Sequence, residues 1–465
     1  MSKVLKLEII HRDRHQLSFQ FSVDGLLFNT TYWYNTVDFW ELEKTFGKEC
    51  LEKVYFHIAA FEINKIASLR PKQIDWGNYS NLADKNFEKL WLLIFRGVWA
   101  QWRFENDDQD YLGPEFKTVS NQKQTGPVRL KQSDKVRMLS FCGGGKDSLV
   151  TGKILKDLGV DHDFLVYSSS IYGLQEIQHE LINKIIDQDH LPRVHRQWVF
   201  DDFLDSPVLS LYPGFRTKTR TAAETPSSIF ASLPVALAHS FNYLVLGHEK
   251  SADVGQVFWG KTGEDINHQW GKSFEAEALL NDYLKKHLVE DIHYFSILKP
   301  IYDPLIFTRL RKSLPIVPYT HSCNIDKPWC CRCAKCAYVF INYLAYLPEE
   351  VVNRTFGKNI SNFDEEMPVF RELLGLENHL PFECIGQKEE ILLAFAMCSR
   401  KGIKNKAILM FENEFSTVDL VKTATPFHLY DMNASAIPGF IEQPLENIFR
   451  ETVQEAWEYL KKINI

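Results

Sequence analysis

The sequence predicts an α/β protein whose main domain is a parallel sheet with helices on both faces. Between residues 135 and 247, short apolar runs alternate with segments of helical pattern. Strands that alternate with helices form parallel sheets with right-handed crossovers. A glycine-rich stretch directly follows the first of these apolar runs. Five of the nine cysteines lie between Cys323 and Cys336, which indicates a small metal-binding segment after the sheet.

The segments before and after this domain have different patterns. Residues 3–34 alternate apolar and polar side chains around Asp24-Gly25, which predicts a β-hairpin or meander with a tight turn. Residues 38–106 carry aromatic residues and leucines at helical spacing, and a polar stretch near 106–133 is the expected linker. The predicted regions are an N-terminal α+β domain (1–125), the sheet domain (134–320), a cysteine-rich knuckle (321–345) and a mostly helical C-terminal region (346–465).

The composition limits the classes of partner. The 465-residue chain has 53 Lys and Arg against 60 Asp and Glu, so its formal net charge of -7 provides no basic field for nucleic acid. No run of 18 apolar residues is free of charges, so we expect no membrane-spanning helix. The first 15 residues lack the apolar core of a signal peptide, and the cysteines cluster in one short segment. We therefore expect a cytoplasmic protein.

The glycine-rich stretch, FCGGGKDS at 141–148, predicts a phosphate-binding loop. It lies between a predicted strand and a predicted helix, where glycines allow close approach of an anion and the helix N-terminus attracts it. It is not a Walker A loop, because Asp147 follows Lys146 where that motif needs Ser or Thr. The alternative is a glycine-rich turn without a ligand. The expected phosphate-binding residues are Gly143, Gly144, Gly145, Lys146, Asp147 and Ser148.

This stretch resembles the SGGxDS loop of the PP-loop ATP pyrophosphatases, also described as adenine nucleotide α-hydrolase-like, with Cys142 ahead of the glycines. The resemblance implies ATP and Mg²⁺ as cofactors, with the loop holding the pyrophosphate that leaves when ATP is cleaved to AMP. A second segment, GHEKSAD at 247–253, resembles the end of a later strand in this class. It places His248 and Glu249 at the nucleotide, and Glu249 or Asp253 at Mg²⁺. The alternative is a turn in which Asp253 caps a helix.

The cysteine cluster predicts a structural zinc site. Two consecutive C-x2-C spacings bring thiolates around a tetrahedral ion, and four protein ligands leave no open position for catalysis. Cys331 lies between the ligands and is the expected bystander. Free structural cysteines or an iron–sulfur cluster are the alternatives. The predicted ligands are Cys323, Cys330, Cys333 and Cys336.

Several blocks in the same order resemble the UDP-N-acetyl-α-D-muramoyl-L-alanyl-L-glutamate epimerase family of bacterial peptidoglycan biosynthesis. The likeness extends to about residue 390, and the blocks that carry it are 141–151, 267–275, 294–296, 321–336 and 381–386. The resemblance implies that the carboxylate of a terminal L-glutamate is adenylated with ATP and Mg²⁺, and that its Cα is then inverted. Adenylation removes the carboxylate charge and makes the carbonyl an electron sink. Departures at 222–226, 247–253 and Trp270-Gly271 leave the exact substrate open.

Roles for individual residues follow from this resemblance. Lys146 would stabilise the leaving pyrophosphate, and Asp147 and Asp253 would bind Mg²⁺. His268 is the first candidate for the general acid/base, with a structural histidine as the alternative. Cys384 is a possible second proton carrier, and a buried apolar cysteine is the alternative. The predicted substrate-binding residues are Asn267, Gln269, Lys272 and Ser273.

The expected partners are ATP and a small carboxylate or UDP-linked peptide. A basic group could receive a substrate pyrophosphate, with solvated surface as the alternative. Its members are Arg193, His195, Arg196, Arg216, Lys218 and Arg220. A second function is a PP-loop enzyme that modifies a nucleobase, RNA or protein carboxylate, because a zinc knuckle after a PP-loop domain also resembles 7-cyano-7-deazaguanine synthase and thiolation enzymes. The acidic net charge weighs against a tRNA substrate.

Overall fold

The fold is described from a computed structural model. It covers residues 3–463 apart from 123, 132–134, 187–192, 204–205, 207–221, 363, 378–380 and 416. The strands are β1 (Val4–Arg12), β2 (Gln16–Val23), β3 (Leu26–Tyr34), β4 (Gln73–Asp75), β5 (Glu115–Phe116), β6 (Met138–Cys142), β7 (His162–Ser169), β8 (Val194–Asp201), β9 (Tyr243–Leu246), β10 (Val257–Trp259), β11 (Glu264–Ile266) and β12 (His293–Ser296).

The α-helices alternate with these strands and then fill the C-terminal region, as the sequence predicts. They are α1 (Phe39–Phe46), α2 (Lys48–Glu62), α3 (Lys85–Val98), α4 (Ala100–Glu105), α5 (Lys146–Asp157), α6 (Gln175–Ile186), α7 (Glu224–His239), α8 (Phe274–His287), α9 (Asp303–Leu310), α10 (Ala334–Tyr346), α11 (Glu349–Phe356), α12 (Met367–Leu373), α13 (Lys388–Arg400), α14 (Lys406–Glu414), α15 (Leu420–Ala424) and α16 (Gly439–Ile463). Among the described residues, no helix is both long enough and apolar enough to cross a bilayer.

Ten strands form one sheet in the order β12-β9-β6-β7-β8-β3-β2-β1-β4-β5. The segment from β12 to β8 is parallel, as predicted from the alternation of strands and helices. β3 pairs with β8 in the antiparallel sense, so the sheet runs without a break from the N-terminal region into the sheet domain. The predicted hairpin is β2–β3, and Asp24 and Gly25 have φ angles of 50° and 81° at its two-residue turn. Two positive φ angles are typical of the turn type that matches strand twist.

The parallel segment is covered on both faces, because alternate side chains of its strands enter different cores. Leu244 and Tyr294 join one core with α2, α3, α7 and α8. Val245 and Phe295, their chain neighbours, join the other core with α5, α9, α10, α13 and α16. Each buried leucine- or phenylalanine-sized side chain contributes roughly 1.5–3 kcal/mol of hydrophobic stabilisation. The prediction of helices on both faces is therefore confirmed.

The strand order identifies the edge of the sheet that suits a ligand. From β6 the chain proceeds to β7 and β8 on one side, and later to β9 and β12 on the other side. The order therefore reverses between β6 and β9. In open parallel sheets, ligands bind outside the carboxyl ends of the strands at such a reversal, because the flanking connections leave a crevice there. The glycine-rich loop after β6 and the segment after β9 both lie at this crevice.

Candidate active site

The glycine-rich loop is held against the start of the cysteine-rich knuckle. Gly144 has a φ of +82°, and a Cβ built there would lie 2.1 Å from Cε1 of His321. The backbone N–H of His321 donates to the Gly144 carbonyl oxygen at 2.9 Å. Only glycine fits this position, because both the backbone conformation and the neighbouring ring exclude a side chain. The loop shape therefore depends on the segment that carries the cysteine cluster.

The loop ends at the N-terminus of α5, which begins at Lys146 without a side-chain cap. The first N–H groups of a helix have no intrahelical acceptor, so this end can donate hydrogen bonds to an anion. Gly143 is exposed, and its N–H donates to the Ser148 hydroxyl at 3.1 Å. The predicted phosphate-binding residues Gly143 to Gly145 and Ser148 thus lie together at an open helix end.

Three carboxylates converge beside the loop, one after each of β6, β9 and β12. They are Asp147, Glu249 and Asp303, and their nearest oxygens lie within 4.8 Å of one another. We call this group the carboxylate cluster. Lys146 Nζ donates to Asp147 Oδ1 and to Asp303 Oδ1, both at 2.5 Å. Three carboxylates and one ammonium leave a charge of -2 among these four side chains, which matches one divalent cation. Hard oxygen ligands are those that Mg²⁺ prefers.

Burial and charge act against each other in the carboxylate cluster. Burial would lower the pKa of Lys146, but Asp147 and Asp303 outweigh it and raise the pKa well above its ordinary value. Burial raises the pKa of Asp147 to about 6, and Lys146 only partly offsets this. Burial would also raise the pKa of Glu249, but Lys146 and Lys272 lower it on balance. The Lys146 side chain is almost completely buried, and its ammonium stabilises the negative charge of the carboxylates from the interior of the protein.

Two other predicted nucleotide-side residues lie outside the carboxylate cluster. Asp253 Oδ1 accepts the N–H of Phe274, the first residue of α8, at 2.8 Å and the Lys299 ammonium at 3.1 Å. The bond to the first residue of α8 resembles the alternative interpretation, in which Asp253 caps a helix. His248 is buried, and burial lowers its pKa well below the ordinary value. Its Nδ1 lies 3.4 Å from the hydroxyl of Tyr294, a residue of β12.

A cavity of about 300 Å³, which we call the central cavity, opens near the carboxylate cluster. Its lining residues come from six distant parts of the chain, which only the fold brings together. They are Val98, Gln101, Tyr172, Ala222, Ala223, Glu224, Thr225, Pro226, His268, Gln269, Gly271, Lys272, Asn324, Phe382, Glu383 and Cys384. Half-buried polar groups and a few apolar side chains in such a concave site suit a small polar ligand.

On one part of the cavity wall, Cys384 is surrounded by two donors. Lys272 Nζ donates to Cys384 Sγ at 3.0 Å, and His268 forms a second side-chain hydrogen bond with the same thiol. Burial would raise the pKa of Cys384, but Lys272 and then His268 outweigh it and hold the pKa well below its ordinary value. Cys384 is half-buried and lines the cavity, so the structure does not place it as a buried apolar cysteine.

His268 is oriented from its other side by Gln101. His268 Nδ1 lies 2.6 Å from Gln101 Oε1, so Nδ1 carries the proton and donates to the amide oxygen. Burial would lower the pKa of His268, but the hydrogen bond with Cys384 outweighs it and raises the pKa. The imidazole is therefore directed at the thiol, and the predicted acid/base candidates His268 and Cys384 form one unit.

A second pair of acid/base groups lines another part of the wall. The Tyr172 hydroxyl donates to Glu224 Oε1 at 2.6 Å. Glu224 begins α7 and its side chain is exposed, whereas Tyr172 follows β7. Although the Glu224 side chain is exposed, desolvation by the surrounding protein raises the pKa of its carboxyl. Tyr172 has a pKa well above its ordinary value, chiefly because of burial and then because of Glu224.

The predicted substrate-binding residues divide into two groups. Lys272 and Gln269 line the central cavity, whereas the side chains of Asn267 and Ser273 bond to backbone groups. Asn267 donates to the Ala252 carbonyl oxygen at 2.8 Å, and the Ser273 hydroxyl accepts the Ala276 N–H at 3.2 Å. The amide nitrogen of Gln269 donates to the Ile385 carbonyl oxygen at 3.0 Å. Gln269 therefore also fixes the chain next to Cys384.

The four predicted zinc ligands form one tetrad in the structure. The Cys323–Cys333 and Cys330–Cys336 Sγ distances are 3.9 Å and 3.8 Å, and all four sulfurs lie within 4.8 Å of one another. Ligands at the ~2.3 Å zinc–sulfur bond length of a tetrahedral site are separated by about 3.8 Å. The tetrad therefore fits zinc without rearrangement. Cys331 points instead towards the carbonyl oxygens of Trp329 and Phe356, as a bystander would.

None of the described residues of the predicted basic group lines the central cavity. The His195 imidazole lies between Asp163 Oδ2 at 3.0 Å and the Thr36 hydroxyl at 2.7 Å. Arg196 donates to His179 and to Asn183. Arg216, Lys218 and Arg220 lie outside the described residues.

Sequence reasoning did not identify Asp303, Tyr172 or Glu224 as site residues. Asp303 follows β12, which the sequence analysis did not recognise as a fifth parallel strand. The available signal was the short apolar run His293–Ser296 followed by Asp303-Pro304, because a proline in the first helical turn marks a helix start. Tyr172 has no comparable local motif, whereas Glu224 lies in the segment 222–226, which departs from the pattern of the family that the sequence resembles.

Comparison with known proteins adds a family to this geometry. Residues 226–297 match the family model of the MurL N-terminal domain, and residues 319–423 match that of the MurL C-terminal domain. These ranges contain His268, Lys272 and Cys384, whereas the glycine-rich loop precedes them.

Three similar relatives are each named UDP-N-acetyl-alpha-D-muramoyl-L-alanyl-L-glutamate epimerase. The protein of Micromonospora sp. is 28% identical over 286 residues, covering 59% of this chain. That of Salinispora tropica is 29% identical over 291 residues, covering 61% of the chain. That of Xanthomonas oryzae pv. oryzae is 28% identical over 298 residues, covering 59% of the chain. The matched region spans 60% of the length of each relative.

Proposed function

This chain belongs to the family of UDP-N-acetyl-α-D-muramoyl-L-alanyl-L-glutamate epimerases, and we propose that it is an ATP-dependent epimerase. Its substrate would be UDP-MurNAc-L-Ala-L-Glu or a related peptide with a terminal L-glutamate. The enzyme would adenylate the α-carboxylate, release pyrophosphate, invert Cα, and release AMP by hydrolysis. The observation that carries this proposal is the position of the carboxylate cluster beside a cavity lined by acid/base groups.

Adenylation explains why the reaction would need both the carboxylate cluster and the central cavity. A free carboxylate opposes loss of the neighbouring Cα proton, because the product would place two negative charges on one small unit. Joining the carboxylate to AMP removes this charge and lets the carbonyl oxygen accept the electron pair. The acidity of Cα–H then comes within reach of a protein base whose pKa lies near the working pH.

The residues near the loop have distinct tasks in the first step. The N–H groups at the start of α5 and the backbone of Gly143 to Gly145 would bind the outer phosphates of ATP. Asp147, Glu249 and Asp303 would hold Mg²⁺, which neutralises phosphate charge when bound. Lys146 is enclosed by Asp147 and Asp303, so its task is to fix the carboxylates. Direct contact with the pyrophosphate, which the loop resemblance implies for Lys146, would require this enclosure to open.

Lys272 lies between the two halves of the site. Its ammonium bonds to Cys384, and its charge also acts on Glu249 and Asp147. Burial would lower its pKa, but Cys384 and Glu249 outweigh it and raise the pKa above the ordinary value. A permanently charged group at this point would orient the glutamyl carboxylate towards the nucleotide and would stabilise negative charge on its oxygen during proton removal.

A reaction in D₂O tests this function directly. The protein is incubated with ATP, Mg²⁺ and UDP-MurNAc-L-Ala-L-Glu, and AMP, pyrophosphate and the deuterium content of the glutamyl Cα are measured. We expect AMP and pyrophosphate in equal amounts, together with D-glutamate that carries deuterium at Cα. UDP-MurNAc-L-Ala, which lacks the glutamyl residue, is the matched control and should give neither. Formation of ADP, or a glutamyl Cα that keeps its protium, would refute the proposal.

A further inference from the structure

We propose that Cys384 and Glu224 are the two proton carriers of the inversion, each serving one face of the glutamyl Cα. This inference rests on the proposed function and adds to it the residues that move the proton. His268 and Lys272 would position and activate Cys384, and Tyr172 would do the same for Glu224. An inversion that removes a proton from one face and returns one to the other needs a base on the first face and an acid on the second.

The surroundings of Cys384 are those of a thiolate base. The thiol receives hydrogen bonds from a lysine ammonium and a histidine, and the histidine is itself oriented by Gln101. Such donors stabilise the thiolate, which is the reactive form of cysteine. Cys384 is also held at its backbone, because the Lys335 ammonium donates to its carbonyl oxygen. The sulfur is therefore both activated and fixed at the wall of the central cavity.

Glu224 lines the same cavity and is held by Tyr172, whose hydroxyl donates to one carboxyl oxygen at 2.6 Å. The other carboxyl oxygen is the one that would give its proton to Cα. Burial raises the pKa of this carboxyl, the hydrogen bond from Tyr172 opposes that rise, and the nearby Cys384 adds to it. Glu224 and Cys384 lie on separate elements around one cavity, at the start of α7 and just before α13. The inversion would use Cys384 in its thiolate form and Glu224 in its protonated form.

Gln269, which lines the same cavity, carries an unpaired acceptor. Gln269 is 2% exposed, and its Oε1 has no hydrogen-bond partner among the described residues. Its amide nitrogen is already fixed by the Ile385 carbonyl oxygen, so Oε1 is held in place. A buried acceptor without a partner costs about 1–3 kcal/mol unless a ligand or water donates to it. The N–H of the Ala–Glu peptide bond is a donor of the required kind.

Each proton transfer in the inversion forms one bond for every bond that it breaks. In the forward direction the Cα–H bond breaks, an S–H bond forms on Cys384, and the electron pair moves to the carbonyl oxygen of the acyl-adenylate. The O–H bond of Glu224 then breaks, a new Cα–H bond forms on the other face, and the electron pair returns from the oxygen. Cys384 ends protonated and Glu224 ionised. Exchange with solvent restores the starting protonation and introduces deuterium in D₂O.

Single variants distinguish two carriers from one. Cys384→Ala and Glu224→Gln are each given the L-glutamyl and the D-glutamyl substrate with ATP and Mg²⁺ in D₂O. We expect each variant to lose at least ~100-fold of its inversion rate, because a positioned acid or base typically contributes 10²–10⁴-fold. Each should still exchange the Cα proton of one epimer without inverting it, and the exchanging epimer should differ between the two variants. AMP formation should persist in both, since the carboxylate cluster is unchanged.

A chemical readout tests Cys384 without relying on turnover. Iodoacetamide at pH 7 should alkylate Cys384 at least ~10-fold faster than Cys50, as measured by peptide mass mapping, because the thiolate is the reacting form. Cys50 is half-buried on α2 and is not among the residues that line the cavity, so Cys50→Ser is the matched control and should leave inversion unchanged. Tyr172→Phe should retain the pattern of the parent enzyme at a lower inversion rate, as expected for a positioning residue.

The possible failures are distinguishable. If the parent protein forms no AMP and incorporates no deuterium, the proposed function itself is wrong. If the parent protein inverts glutamate but Cys384→Ala or Glu224→Gln still inverts it at a comparable rate, the two-carrier assignment is wrong. Loss of exchange with both epimers in a variant that still forms AMP would also overturn it, because one residue would then serve both faces.

Discussion

The carboxylate cluster and the central cavity are neighbours, but they are built in different ways. Asp147, Glu249 and Asp303 each follow a parallel strand, and their positions are set by the backbone of the sheet and by Lys146. Cys384, by contrast, lies in a segment without regular secondary structure, and hydrogen bonds from Lys272 and His268 hold its sulfur. The first group therefore depends on the sheet. The second depends on side chains that meet only in the folded chain.

This difference suggests a division of labour. Nucleotide activation is the same chemistry for many acceptors, so it can use a fixed site at the reversal of strand order. Recognition of the acceptor and movement of its Cα proton depend on the cavity, whose walls are supplied by loops. Variants of the two regions should therefore fail in different steps, and the three predictions that follow use this contrast in order of expected effect.

The largest effect is expected from Asp303→Asn in the carboxylate cluster. The change removes a negative charge that faces both Lys146 and the expected Mg²⁺, so AMP formation should fall by roughly 10²–10³-fold, the usual loss for one preorganised electrostatic group. The cavity should be unaffected, so the alkylation rate of Cys384 should stay within about twofold of the parent value. The rate of AMP formation and the alkylation rate of Cys384 are measured on the same preparation of each protein.

Asp282→Asn is the matched control for this prediction. Asp282 is an exposed residue of α8 that pairs with Lys286 at 2.6 Å, and exposed pairs of this kind contribute about 0.2–1 kcal/mol. Its AMP formation and unfolding temperature should resemble those of the parent protein. Equal loss of AMP formation and of Cys384 reactivity in Asp303→Asn would mean that the two regions are one structural unit.

An intermediate effect is expected from Lys272→Gln, because Lys272 lies between the two regions. Exchange of the Cα proton should fall by about 100-fold, since the thiolate loses its nearest cation and the developing enolate oxygen loses a positive charge. AMP formation should fall by only about 10-fold, because the carboxylate cluster remains intact. Lys272→Arg keeps the charge and should restore part of the exchange rate and of the Cys384 alkylation rate. Equal losses in both steps would contradict the position assigned to Lys272.

The same contrast explains what could be predicted from the sequence. The hairpin turn, four parallel strands, the glycine-rich loop and the cysteine tetrad are each encoded within a few consecutive residues, so pattern and spacing identify them. Asp303 was missed because β12 was not among the predicted strands, and Asp303 lies seven positions after the end of β12. The partners of Cys384 were not predictable, because Lys272 precedes it by 112 positions. Only the packing of the loops brings such residues within hydrogen-bond distance.

The burial of the Lys146 side chain also could not be predicted from the sequence. A lysine after three glycines predicts a side chain that reaches a phosphate, which is its role in the loops that this one resembles. The structure instead places its ammonium over the Phe307 ring at 5.2 Å and between Asp147 and Asp303. Asp303, the first residue of α9, is one of the two partners of this ammonium. Asp147 is adjacent in the sequence, but Asp303 lies 157 positions away, so the local sequence does not reveal that the lysine is enclosed.

The smallest effect is expected from Gln269→Met, which tests whether the central cavity binds the peptide part of the substrate. Methionine has a similar length but lacks the unpaired oxygen and the amide donor to Ile385. The hydrogen bond that Oε1 would accept from the substrate is worth about 1 kcal/mol between neutral groups, so its loss should raise the KM for UDP-MurNAc-L-Ala-L-Glu about fivefold. The KM for ATP should not change, because Gln269 is not part of the carboxylate cluster. Gln443→Met, at an exposed position of α16, is the control and should leave both KM values unchanged. A rise in the KM for ATP instead would place the nucleotide, and not the peptide, in the central cavity.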